Sequence, residues 1–149
     1  MRPAIRRAVN LVNGSTAAGV LAAAAGLAVP RPGPDGLLIA ARYRLPVPAP
    51  AFTVGNVVIT RLATAAELAA ASGGRLLAHE ARHATQYAWC GGLPMLPAYA
   101  LAAAWSWALT GDPGCRNVFE RRAGLADGGY AERPLRAALA RYTAAAGTA

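Results

Sequence analysis

Three residues in the middle of the chain have the types and spacing of a catalytic metal site. His79, Glu80 and His83 lie within the five-residue sequence His-Glu-Ala-Arg-His. Positions four apart on a helix lie one above the other, so both imidazoles would face one point and could bind a metal ion there. A glutamate beside the first histidine could accept a proton from a water molecule held by that ion. The pattern predicts a zinc site with Glu80 as general base.

The number of histidines supports this interpretation. The chain has 2 histidines, and both lie in the motif. A match by chance would have no reason to place them four residues apart, on either side of a glutamate. The competing hypothesis is that they are ordinary histidines, exposed or packed in the core of an amphipathic helix.

A catalytic zinc ion usually has three protein ligands and one open position, so a third ligand must come from elsewhere in the chain. With both histidines already used, the candidates are the remaining acidic residues and the cysteines: Asp35, Glu67, Asp112, Glu120, Asp127, Glu132, Cys90 and Cys115. We predict Glu120, because it lies in a helical stretch that follows a connecting helix able to return the chain to the metal. Its alternative role is a solvated carboxylate paired with Arg116 or Arg121.

The elements around the motif predict a mostly helical α+β fold with a small β-hairpin or ribbon before the motif helix. Residues 37–41 and 52–60 have the composition of two short strands that form this hairpin or ribbon. The proline-rich segment 29–35 predicts a loop. The predicted helices are an N-terminal one that includes the apolar run 17–29, then 65–71, 75–90, 97–109, 117–126 and 134–146. Thr64 and Glu67 have the spacing of a capping box.

Length and composition predict a single domain over residues 1–149. Hydrophobic residues make up 55% of the chain and charged residues 15%, which is typical of a compact globule. The net charge of +8 comes from 15 scattered arginines without an aromatic-basic motif, so we expect no nucleic-acid partner. Two cysteines are too few for a disulfide framework, although a single disulfide between Cys90 and Cys115 remains an alternative.

Two apolar segments leave the relation to membranes open. The run 17–29 follows three arginines and resembles a signal peptide, but its glycines favour a helix of the fold. The run 93–109 could almost span a bilayer, but prolines at its start favour a packed helix. We therefore expect a cytoplasmic protein, with secretion and membrane association as alternatives. The sequence does not indicate an oligomeric state.

The order of the motif helix, an apolar helix and Asn117-x-x-Glu120-x-x-Ala123 resembles the gluzincin type of zinc metallopeptidase. The chain is more similar to small bacterial peptidase-like domains of unknown function. These share a strand like residues 52–59, a segment like Leu-Leu-Ala-His-Glu at 76–80, an apolar segment like 92–97 and the Asn-x-Phe-Glu of 117–120. The similarity covers about half of the chain, and the histidine motif is its most specific part.

This resemblance implies that His79, His83 and Glu120 are the metal ligands and Glu80 is the general base. It also implies that the backbone of a peptide or protein substrate would bind along the strand at 52–60. Many gluzincins have an aspartate four residues after the ligand glutamate, whereas this chain has Gly124 there.

The resemblance also implies two further residues, one that orients a metal ligand and one that stabilises the oxyanion. Asp127 would lie near the helical face of Glu120 if that helix continued, so it is a candidate to orient a ligand. An oxyanion-stabilising residue would have to be a tyrosine, and Tyr87 is the candidate, with Tyr130 as the alternative. Arg82, inside the motif, is expected to face solvent.

The sequence therefore predicts a zinc-dependent hydrolase, in particular a metallopeptidase. One alternative is a zinc-stabilised interaction domain that does not catalyse a reaction. Another is a membrane-associated metalloprotein.

Overall fold

The computed structural model describes residues 1–137 and shows an α+β fold that is mostly helical, as predicted. The helices are α1 (Pro3–Val12), α2 (Ser15–Ala25), α3 (Ala65–Ala70), α4 (Arg75–Trp89), α5 (Met95–Thr110) and α6 (Val118–Ala123). The strands are β1 (Pro30–Pro32), β2 (Leu38–Ala40), β3 (Ala51–Val54) and β4 (Val57–Thr60). The helix predicted over 134–146 lies mostly outside the described residues.

Contacts within the chain divide it into two compact units, one of Met1–Leu96 and one that begins at Pro97. The first unit contains the sheet and the helices α1 to α4, and the second contains most of α5 together with α6. The single domain predicted over residues 1–149 stays a prediction.

The sheet has the strand order β1-β2-β4-β3. β1 pairs antiparallel with β2, β2 pairs parallel with β4, and β3 pairs antiparallel with β4. This order makes β3 an edge strand, and β3 also contacts α4. Apolar side chains fill the space between the sheet and the helices α3 and α4: Leu37, Ile39, Val58, Leu68 and Leu76. Burial of each such side chain stabilises the fold by about 1.5–3 kcal/mol.

The hairpin before the motif helix differs in detail from the prediction. It is formed by β3 and β4, which together cover residues 51–60, whereas we predicted one strand over 52–60. The two-residue turn is Gly55-Asn56, and Gly55 has a φ of 60°. A Cβ at Gly55 would lie 2.3 Å from the backbone of Ser15, so this turn requires glycine. The segment 37–41 contains β2, but β2 pairs parallel with β4 and is not an arm of that hairpin.

The proline-rich segment that we predicted as a loop contains the strand β1. Pro30 and Pro32 lack the backbone N–H that a central strand needs, but within residues 1–137 β1 is an edge strand whose one neighbour is β2. Prolines are tolerated at such an edge.

The N-terminal segment forms two helices where one was predicted. Gly14 has a φ of 78° between α1 and α2, and the two helices are bent by 80°. Asn10 of α1 is buried and donates a hydrogen bond from Nδ2 to the carbonyl of Ala84 in α4, at 2.8 Å. Among residues 1–137 no single helix is long and apolar enough to cross a membrane, although the bent pair of α1 and α2 meets that criterion when taken together.

The remaining helices follow the sequence signals closely. The hydroxyl of Thr64 accepts a hydrogen bond from the backbone N–H of Glu67, which confirms Thr64 as the cap of α3. The Glu67 carboxylate accepts from the N–H of Ala63, one residue before the cap position expected for a capping box. α6 ends at Ala123, earlier than predicted, because Gly124 leaves the helical conformation with a φ of 92°.

Candidate metal centre

The two motif histidines lie on α4, and their side chains converge. Both residues are buried, and their Nε2 atoms are 2.9 Å apart. Two nitrogens bound tetrahedrally to one zinc ion at about 2.0–2.1 Å would be about 3.3 Å apart. The observed separation therefore needs a change of only a few tenths of an ångström to fit that arrangement, and the helical spacing of His79 and His83 produces the geometry that the motif predicts.

Gln86 determines which nitrogen of His83 points towards His79. The Nδ1 atom of His83 lies 2.8 Å from Oε1 of Gln86. In the orientation shown the amide oxygen can only accept, so Nδ1–H donates to it, and a neutral ring would then carry its lone pair on Nε2. Such a partner on the second nitrogen fixes the ring orientation of a metal-binding histidine.

Glu80 is buried beside the histidines and is held by the sheet. Its side chain is on α4, and its Oε2 atom accepts a hydrogen bond from Oγ1 of Thr53 at 2.6 Å. The same hydroxyl lies 3.2 Å from the backbone carbonyl of Glu80. Thr53 belongs to β3, so the edge strand of the sheet fixes the carboxylate that the motif assigns as general base.

In the second unit, Glu120 is buried near the start of α6. Asn117 caps this helix, since its Oδ1 accepts from the N–H of Phe119 at 3.0 Å. The Oε1 atom of Glu120 accepts a hydrogen bond of 2.5 Å from the hydroxyl of Tyr99, which lies on α5. Burial raises the pKa of the Tyr99 phenol, and the hydrogen bond to Glu120 raises it further. Tyr99 therefore stays protonated and donates to the carboxylate.

His79 and His83 are buried in the first unit, and Glu120 is buried in the second. The alternative role for Glu120, a solvated carboxylate paired with Arg116 or Arg121, is wrong, because this side chain is buried. Glu120 is only 3% exposed, and Arg121 pairs with Glu132 at 2.6 Å.

The other acidic candidates have different surroundings. Glu132 is exposed in its ion pair with Arg121. Asp112 accepts hydrogen bonds at Oδ1 from the backbone N–H groups of Gly114 and Cys115 and so shapes the loop after α5. Among the described residues, neither cysteine is in a disulfide.

The supporting residues predicted from the sequence have mixed outcomes. Tyr87 is buried on α4, and burial raises its pKa to about 12, so its phenol is neutral at ordinary pH. Its role as a catalytic residue stays a prediction. Tyr130 forms a hydrogen bond with Tyr99. Asp127 lies beyond the end of α6, so the condition for its candidate role, a helix that continues past Gly124, is not met.

Three residues around the site were missed by the sequence reasoning: Thr53, Gln86 and Tyr99. Gln86 had a usable signal, because it follows His83 by three positions and so lies on the same helical face. Thr53 and Tyr99 are far in sequence from the side chains they contact, at separations of 27 and 21 residues. Nothing local in the sequence indicates those pairs.

Comparison with known families finds one match. Residues 39–89 match the model of a family described as the eCIS core domain. This segment runs from β2 to the end of α4, and it includes Thr53, the histidine motif and Gln86, but not Glu120. The chain is thus similar to that family over about a third of its length. Neither the curated proteins nor the solved structures gave a match.

Proposed function

We propose that this chain is a zinc-dependent hydrolase, and in particular a metallopeptidase that acts on a peptide or protein. The observation that carries the proposal is the arrangement on α4. Two buried imidazoles converge at Nε2, and a buried carboxylate follows directly after the first of them. Buried carboxylates are costly unless a partner stabilises them, so their presence in such a place favours a chemical role.

In this proposal His79, His83 and Glu120 bind the metal. The donor set fits zinc, which accepts imidazole nitrogen and carboxylate oxygen. Glu120 is the third ligand we favour because it is buried, whereas Glu132 is exposed and the Asp112 carboxylate already accepts two backbone N–H groups. The likeness to gluzincins supports the same choice.

A bound zinc ion supplies Lewis acidity, which makes water a better nucleophile and polarises a carbonyl group. The residues of the chain provide the rest. Gln86 holds His83 in the tautomer that presents Nε2. Tyr99 donates a hydrogen bond to Glu120 and keeps that carboxylate oriented. Glu80 accepts the proton that the attacking water loses, and later gives it to the leaving amine.

The match to the eCIS core domain covers the part of the site on α4, and the family's description names no reaction. It covers the histidines and Glu80 but ends at residue 89, before the segment that carries Glu120. The assignment of Glu120 therefore depends on its burial, its contact with Tyr99 and the likeness to gluzincins.

The decisive experiment separates proton transfer from metal binding. Glu80→Gln keeps the size of the side chain but removes the basic carboxylate. We expect the variant to fold and to hold zinc, while hydrolysis of a peptide library falls by about 10²-fold or more. Glu67→Gln is the matched control, because Glu67 accepts an exposed hydrogen bond at the start of α3.

Two outcomes would contradict the proposal. If wild type and Glu80→Gln both hold zinc and neither hydrolyses any peptide, the chain is better described as a zinc-stabilised interaction domain. If Glu80→Gln loses the metal, Glu80 contributes to binding, and the roles assigned along α4 are wrong.

A further inference from the structure

We propose that Thr53 is a positioning residue that holds the carboxylate of Glu80 in the orientation a general base needs. The inference rests on the proposed function, since it assigns a supporting residue to the same reaction. The contact that carries it is the 2.6 Å hydrogen bond from Oγ1 of Thr53 to Oε2 of Glu80.

The hydroxyl of Thr53 has one proton and two acceptors within reach. The carboxylate oxygen of Glu80 is 2.6 Å away, whereas the backbone carbonyl of the same residue is 3.2 Å away. Hydrogen bonds to a charged acceptor are shorter and about twice as strong as those between neutral groups. The proton of Thr53 therefore goes mainly to the side chain.

A bond to one carboxylate oxygen restricts rotation of the whole carboxylate group. An ionised carboxylate has about four acceptor positions on its two oxygens, so the bond at Oε2 still allows Glu80 to accept a proton. Accurate orientation contributes to catalysis because a proton acceptor must lie within hydrogen-bond reach of the group that loses the proton.

The sheet makes Thr53 a rigid support. β3 and β4 are paired in a register that places Thr53 opposite Val58, and Val58 is fully buried in the core. The Oγ1 atom is thereby fixed relative to the sheet, and β3 contacts α4 directly. The position of the Glu80 carboxylate thus depends on the hairpin as well as on the helix.

A purely structural role is the alternative, in which Thr53 only ties the edge strand to α4. Two variants separate the two roles. Thr53→Val keeps the β-branched shape and removes the hydroxyl, whereas Thr53→Ser keeps the hydroxyl and removes the methyl group. Thr53→Ala is a second hydroxyl-free variant in case the valine does not pack.

The kinetic test uses the zinc-loaded chain and a peptide substrate that the wild type cleaves. We expect Thr53→Val to lower kcat by about 10-fold with KM unchanged, because orientation acts on the chemical step. Thr53→Ser should restore most of the rate. In the Glu80→Gln background Thr53→Val should cause no further loss of rate, since coupled residues are not additive.

The second test needs no activity. The chain has four glutamates, so selective ¹³C labelling of their carboxyl carbons gives four signals, and Glu80→Gln identifies one of them. In the metal-free protein, Thr53→Val should shift the Glu80 signal, while Thr53→Ser leaves it in place. The signals of Glu67, Glu120 and Glu132 serve as internal controls.

The two tests also keep this inference distinct from the proposed function. An unchanged Glu80 signal in Thr53→Val, together with unchanged kcat and a lower melting temperature, would overturn the positioning role and leave Thr53 as a structural tie. If the wild type cleaves nothing, the hydrolase proposal fails by itself. The carboxyl signals would then decide whether Thr53 orients Glu80.

Discussion

The helices α4 and α6 present their candidate ligands in different ways. α4 has 15 residues and carries His79 and His83, and its own periodicity brings their Nε2 atoms together. α6 has 6 residues, and the orientation of Glu120 depends on Tyr99, which is 21 residues away in sequence. Two ligands on one long helix are therefore specified locally, whereas a ligand on a short helix is specified by its surroundings.

The largest effect should come from removing a ligand on α4. We expect wild type to bind about one zinc ion and His79→Ala to weaken zinc binding by well over 100-fold, because losing a ligand costs more than losing a contact to one. A chelator should lower the melting temperature of wild type, since the metal binds only the folded state. Elemental analysis and chelator competition measure both effects.

Thr85→Ala is a suitable control on the same helix, because its hydroxyl only donates to the carbonyl of Ala81. Wild-type protein that purifies without metal and does not take up zinc would reject the hydrolase and the zinc-stabilised domain together.

The next-largest effect should come from replacing Glu120, which tests whether α6 contributes a metal ligand. Glu120→Ala should weaken zinc binding by about 100-fold, and Asp127→Ala should change it little. Asp112→Ala should lower the melting temperature without loss of metal, because two backbone N–H groups lose their acceptor. Zinc titration and thermal unfolding of each variant separate these outcomes. A strong loss of zinc in the Asp112 or Asp127 variant would show that the gluzincin-like assignment is wrong.

The smallest effects should come from the contacts that orient the ligands. Gln86→Leu and Tyr99→Phe each remove one hydrogen bond to a candidate ligand, and each should weaken zinc binding by about 10-fold. Gln86→Glu retains an acceptor for Nδ1–H of His83 and should bind zinc more tightly than Gln86→Leu. If Tyr99→Phe has no effect while Gln86→Leu does, Glu120 does not depend on Tyr99, and the contrast between the two helices is weaker than we propose.

The same contrast explains which parts of the molecule the sequence could predict. α4 and its histidine motif were predictable because the helix places residues at i and i+4 on one face. The hairpin turn was also predictable in principle, since Gly55-Asn56 is a two-residue turn signal between two apolar runs. It was missed because residues 52–60 were interpreted as one continuous strand.

Pairings between distant segments could not be predicted in this way. The parallel pairing of β2 with β4 depends on how the chain crosses the sheet, and no local pattern encodes it. β1 was missed because proline usually excludes a strand, and only its edge position makes the strand possible. Thr53 and Tyr99 resemble ordinary strand and helix residues until the fold brings them to Glu80 and Glu120.

The hydrogen bond from Asn10 to Ala84 has a consequence for how the first unit assembles. The two residues are 74 positions apart, so α1 can reach α4 only after the whole sheet has been synthesised. At about 5–20 residues per second, translation of that interval takes roughly 4–15 s. Because the loop between the two residues is so long, this contact raises the contact order of the first unit, and contacts of that kind form slowly during folding.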